Sequence, residues 1–185
     1  MNLTFRDLRA DEIECRVQTV KQNGCSLLLY KDARCDMNIL DETVGAMHWQ
    51  RAHTRDNANC TVSIYDAERG VWVSKEDTGT ESNTEKEKGL ASDSFKRACV
   101  NWGIGRELYT APLIWISRDR VTIGEKNGKP VTNDKFAVEK IAVKAGRITA
   151  LSIINITLSN AYQKRVRAFV MLPKDEETKP CQSES

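Results

Sequence analysis

Phosphate-binding glycine loops, nucleophile elbows and cysteine knuckles are all missing from this chain. No G-x-x-x-x-G-K-[ST] string occurs. The nearest, GEKNGKP at 124–130, has the wrong spacing and no hydroxyl residue after its lysine, so ATP-driven work is not expected. No G-x-S-x-G elbow is present, and two histidines are little material for acid–base catalysis, so an enzyme is not expected either. Six cysteines stand at 15, 25, 35, 60, 99 and 181, none as C-x-x-C. Their spacing, with His48 and His53, matches no zinc knuckle. Reduced thiols in a cytosolic chain without metal or cofactor are the expectation. No apolar run reaches the ~18 residues of a membrane span. The opening MNLTFRDLRADE has no apolar core, and no signal peptide is expected. Charge is weak too. A net +2 argues neither for nor against nucleic acid, because a binding groove needs clustered cations rather than a basic total.

What is present is alternation, then one long helix, then alternation again. ECRVQTV (14–20) and CSLLLY (25–30) flank Asn23-Gly24, and both turn residues tolerate the positive φ of a type I′ hairpin turn. In DMNILDETVGAMHW, Asp36 can cap a short helix whose apolar face is Met37, Leu40, Val44 and Met47. WQRAHT (49–54), CTVSIYD (60–66) and GVWVSKED (70–77) follow, joined by short turn-rich links. Short links between consecutive strands imply an antiparallel meander. Within it Tyr65 faces away from Val62 and Ile64, which makes it the stronger stacking candidate.

Ser82 or Thr84 can cap the longest helix, with Glu85 and Glu87 at its positive end. Ala91, Phe95, Ala98, Cys99 and Trp102 fall on one stripe, and Gly103 and Gly105 stop the helix. LIWIS, RVTIG, a KNGK turn, KFAVEKIAVK, an AGR turn and ITALSIINITL make a second strand-rich part. Residues 173–185 read as a disordered acidic tail after a single domain over 1–172. The fold class expected is α+β: an antiparallel β-β-β-α core, a three-stranded meander packed on the long helix, with an N-terminal hairpin and a C-terminal strand-rich part.

Chemistry then rests on charge. Lys96 and Arg97 lie about 100° and 200° round the helix from core-facing Phe95. Asp93, four residues before Arg97, offers a bland reading as a helix-stabilising pair. Lys31, Arg34, Arg51, Arg55, Lys75, Lys88 and Arg106 are further cations able to converge. YQKRVR (162–167) can add DNA contacts or protect a strand edge. Asp66, Asp77 and Glu81 are the carboxylates a metal-dependent nuclease would use, although carboxylates are common at such strand ends and turns.

LLLYKDARCDMNILDETVGAMHWQR, DTGTESNTEKEKGLASDSFKRACVNWGIGRELY and the strands between them resemble phage single-strand annealing proteins. These are the Sak-like members of the Rad-fifty-two superfamily of recombination mediators. The resemblance spans about residues 10–116, and SDSFKRA followed by Trp-Gly is its most specific part. It implies ATP-independent single-stranded DNA binding and annealing of complementary strands during recombination, in a homo-oligomeric ring with phosphates in a basic groove. The adjacent Lys-Arg pair that contacts the DNA backbone in eukaryotic relatives maps onto Lys96 and Arg97. Val100 replaces a further basic residue of those relatives, Cys35 an arginine, and Ala46 an aromatic. The resemblance also implies the cytoplasm of a bacterial host, and a single-strand binding protein or phage exonuclease as further partners. A single-strand coating protein without annealing activity, a nuclease and a virion scaffold are the alternatives.

Overall fold

The computed structural model describes residues 3–80 and 86–173, with side chains from residue 89 onward in the second span. The caps expected at Ser82 and Thr84, the acidic Glu81 and Glu85, the side chains of Glu87 and Lys88, and residues 174–185 of the expected tail lie outside that description. The described residues form a mixed α+β structure of eleven strands and three helices, with every strand pairing antiparallel.

Strands β1 (Glu14–Lys21) and β2 (Gly24–Tyr30) make the N-terminal hairpin. Its turn differs from expectation. Lys21 pairs with Gly24, so the turn residues are Gln22 and Asn23, and neither takes positive φ. Gly24 belongs to the strand. A Cβ there would lie 2.2 Å from the Ile116 carbonyl oxygen, so close backbone approach demands the glycine. The type I′ geometry appears instead where Asn127-Gly128 and Ala145-Gly146 both take positive φ.

Helix α1 (Ala33–Val44) is capped by Asp32, whose Oδ1 accepts from the Arg34 N–H at 2.7 Å. Asp36, expected as the cap, is instead buried in the first turn. Leu40 is in the core with Cys35 and Ile39, whereas Met47 is 86% exposed beyond the helix end.

Strands β3 (Trp49–Thr54), β4 (Asn59–Asp66) and β5 (Val71–Thr78) form a separate three-stranded sheet in chain order. Alternation puts Cys60, Val62 and Ile64 on one face, all buried. Helix α2 (Lys86–Trp102) follows, with Phe95, Ala98 and Cys99 fully buried. Phe95 stacks on Trp49 at 6.1 Å, and the Trp102 indole N–H donates to the Val62 carbonyl at 3.1 Å.

The C-terminal strands join the N-terminal hairpin, an arrangement with no local signal in the chain. They are β6 (Ile114–Ser117), β7 (Gly124–Lys126), β8 (Lys129–Val131), β9 (Phe136–Lys144), β10 (Arg147–Asn155) and β11 (Arg167–Met171). The larger sheet runs β11-β10-β9-β1-β2-β6, while β7 and β8 pair separately. One expected strand does not form, and another ends three residues early. In RVTIG the Thr122 N–H donates to Asp134 Oδ2 at 2.7 Å instead of to a strand partner. In ITALSIINITL the strand stops at buried Asn155. Its Oδ1 caps helix α3 (Ile156–Tyr162) by accepting from the Leu158 N–H at 3.0 Å. Buried apolar residues from both sheets and from α1 and α2 belong to one cluster. Among the described residues no helix is long and apolar enough to cross a membrane.

Candidate nucleic-acid interface

Phe95 fixes the rotation of α2, and that rotation decides where the two basic residues stand. With Phe95 turned into the core, Lys96 and Arg97 come to the wall of a groove of about 470 Å³. Lys96, Arg97 and Val100 of α2 line it, with Asp93 of the same helix. Leu28 of β2 and Leu108 and Tyr109 of a short 3-10 turn (Arg106–Thr110) line it as well.

Beneath it Lys31 is only 4% exposed, and its ammonium is ion-paired with the buried Asp36 carboxylate. A Cβ on Gly105 would lie 2.2 Å from the Lys31 Cε, and Gly105 has φ +69°. Only glycine fits both the left-handed backbone and the lysine stem. Burial pushes the Asp36 carboxyl up to about 6, against the pull of Lys31 and, more weakly, of Lys96. Asp36 Oδ2 has no hydrogen-bond partner among the described residues.

The two groove cations differ. Arg97 Nε lies 3.3 Å from Asp93 Oδ2, which also accepts the Thr80 N–H at 2.9 Å, so the bland i,i+4 pair is formed. Lys96 has no ion-pair or hydrogen-bond partner among the described residues.

The other sequence candidates scatter. Lys31 is in the groove floor rather than on its surface. Lys75 Nζ donates to the Asn101 carbonyl at 2.9 Å and sits 4.6 Å from the Trp102 ring centre. Arg106 donates to the Val100 carbonyl at 2.9 Å and the Asn101 carbonyl at 3.2 Å. Both neutralise the negative end of α2. Arg51 lies over Phe95 at 4.7 Å. Arg34 and Arg55 are exposed away from these contacts, on α1 and in the β3–β4 turn. Tyr65 packs on Trp72 at 5.4 Å, on the sheet face opposite Val62 and Ile64, and so does not reach the groove.

In YQKRVR, Arg165 and Arg167 both pair with Glu139, at 2.7 and 3.0 Å, and Arg167 opens the edge strand β11. Asp66 and Asp77 lie at opposite ends of the β4–β5 ladder, where Asp77 pairs with Cys60, six residues and about 20 Å from Asp66. Among the described residues no three His, Cys, Asp or Glu side chains cluster as a metal site. Among the described residues the five cysteines are free thiols, and burial raises Cys15 to about 12.

Sequence reasoning missed Leu28 and Tyr109. Leu28 sits in an apolar run and reads as core, but β2 turns it outward, 50% exposed. Tyr109 follows the helix stop in a stretch with no periodicity. Comparison with protein-family models, curated proteins and solved structures found no match to this chain.

Proposed function

We propose that this chain binds single-stranded DNA without ATP and anneals complementary strands in homologous recombination, as a homo-oligomeric ring with phosphates held in a basic groove. The observation that carries the reading is the adjacent Lys96–Arg97 pair on the wall of a groove, with Lys96 in no ion pair or hydrogen bond among the described residues. Two further features support it. A three-stranded antiparallel sheet followed by α2 has the β-β-β-α order of the annealing proteins that the sequence resembles. The same groove is lined by Leu28, Leu108 and Tyr109, apolar and aromatic side chains that suit a strand whose bases are uncovered.

The mechanism is physical. Lys96 and Arg97 take up phosphates and release condensed counterions, so affinity falls as salt rises. Arg97 exchanges Asp93 for phosphate, whereas Lys96 breaks no ion pair with a described residue. A ring of copies multiplies a weak grip per subunit through effective concentration. The setting is the cytoplasm of a bacterial host, with a single-strand binding protein or phage exonuclease as further partners.

The test mixes two complementary labelled oligonucleotides with the protein, without ATP, and follows duplex formation at low and high salt. Acceleration over the protein-free control that fades with salt is expected. Tight single-strand binding without acceleration would leave a coating protein, and no binding would overturn the reading.

A further inference from the structure

In the groove that Lys96 and Arg97 line, one ring stands out of the fold. Tyr109 is 71% exposed and has no hydrogen bond or ring contact among the described residues. The turn that carries it is nevertheless pinned. Arg106 holds its start to the Val100 and Asn101 carbonyls. The buried Glu107 carboxylate accepts from the Leu8 N–H at 2.7 Å. Thr110 Oγ1 accepts from the Ile148 N–H at 2.9 Å and donates to the Glu107 carbonyl at 2.7 Å. A ring presented on so fixed a backbone loses little freedom when something packs on it.

Charge and shape together choose the occupant. Two cations, Asp93 against Arg97, and Tyr109 with exposed Leu28 all line the one groove of about 470 Å³. That volume falls in the range of small-ligand sites. It suits one nucleotide unit, with its phosphate on the cations and its base on the ring. In a duplex the base faces are already covered, so the occupant is a single strand.

We propose that Tyr109 stacks a base of the strand whose phosphates Lys96 and Arg97 hold, an inference that rests on the nucleic-acid reading above. Stacking engages the face of the base, which every base has, and leaves its pairing edge free. A strand so held remains readable by its complement.

The experiment compares binding of labelled oligo-dT with a strand of equal length and charge made of abasic tetrahydrofuran units, across a salt series. Wild-type protein is expected to prefer oligo-dT about tenfold. Tyr109→Ala should lose most of that preference with its salt slope unchanged, and Tyr109→Phe should keep it. A Tyr109→Ala protein that retains the preference overturns the proposal, as does a wild type that binds both strands equally. A wild type that binds neither strand overturns the nucleic-acid reading as well. If Lys96→Ala with Arg97→Ala keeps the wild-type salt slope while Tyr109→Ala loses the preference, the stacking is supported and the phosphate assignment is overturned.

Discussion

The last turn of α2 and the turn before it both gather basic side chains, and they hold them differently. At the helix end, Lys75 and Arg106 donate to the carbonyls of Val100 and Asn101. Their charge is used up on a helix terminus that has no basic residue of its own in its last turn. One turn earlier, among the described residues Lys96 forms no ion pair and feels the buried Asp36 only weakly, and Arg97 pairs with Asp93. The same residue types thus serve stability in one place and stand ready for a ligand in the other. What separates them is the partner, not the charge.

Single substitutions can break or sharpen that contrast. The largest effect is expected beneath the groove. Lys31→Met leaves the buried Asp36 carboxylate without its counter-charge and should cost about 3–5 kcal/mol in urea unfolding at pH 7. A loss below about 1 kcal/mol would mean that the pair does not support the floor.

The same carboxyl has a signed pH dependence. Burial raises it from 3.8 to about 6, so the folded protein keeps a proton that the unfolded chain has released. Its contribution to stability is therefore full below 3.8 and is lost as pH rises through about 6. Unfolding measured from pH 4 to 7 should show that loss in the wild type and lack it in Asp36→Asn.

Gly105→Ala comes next. It forces a Cβ into a left-handed backbone and against the Lys31 stem, and should cost about 2–3 kcal/mol by thermal or urea unfolding. Arg106→Ala removes donors from two helix-end carbonyls, for a loss of about 1–2 kcal/mol with single-strand binding unaltered. Were it to weaken DNA binding in a salt-dependent way, the division between the two turns would fail. Arg55→Ala, in an exposed turn, should change stability by less than about 0.5 kcal/mol in the same measurement.

The meander and the long helix were legible because their signals are local. Val62 and Ile64 alternate with polar residues, and the Phe95 stripe repeats at helical spacing. The groove was legible only in its helical wall. Leu28 looks like core in an apolar run, and only the pairing of β2 with β1 and β6 shows which way it points. Lys75 and Arg106 looked like DNA contacts, because carbonyls at the end of α2 leave no mark in the sequence near Lys75. Asp32 and Asp36 were both able to cap α1, and propensity does not choose between them. Burial beside Lys31 does. Tyr65 and Tyr109 are the reverse pair. The tyrosine with the clear strand pattern packs on Trp72, and the one with no pattern lines the groove.

The most direct test of the central claim is the salt dependence of single-strand affinity in two double variants. Lys96→Ala with Arg97→Ala should lower the slope of log affinity against log salt by about 1.4, the loss of two phosphate contacts. Lys75→Ala with Arg106→Ala should leave the slope at its wild-type value. Equal slopes in all three proteins, or a drop confined to the second variant, would contradict the account.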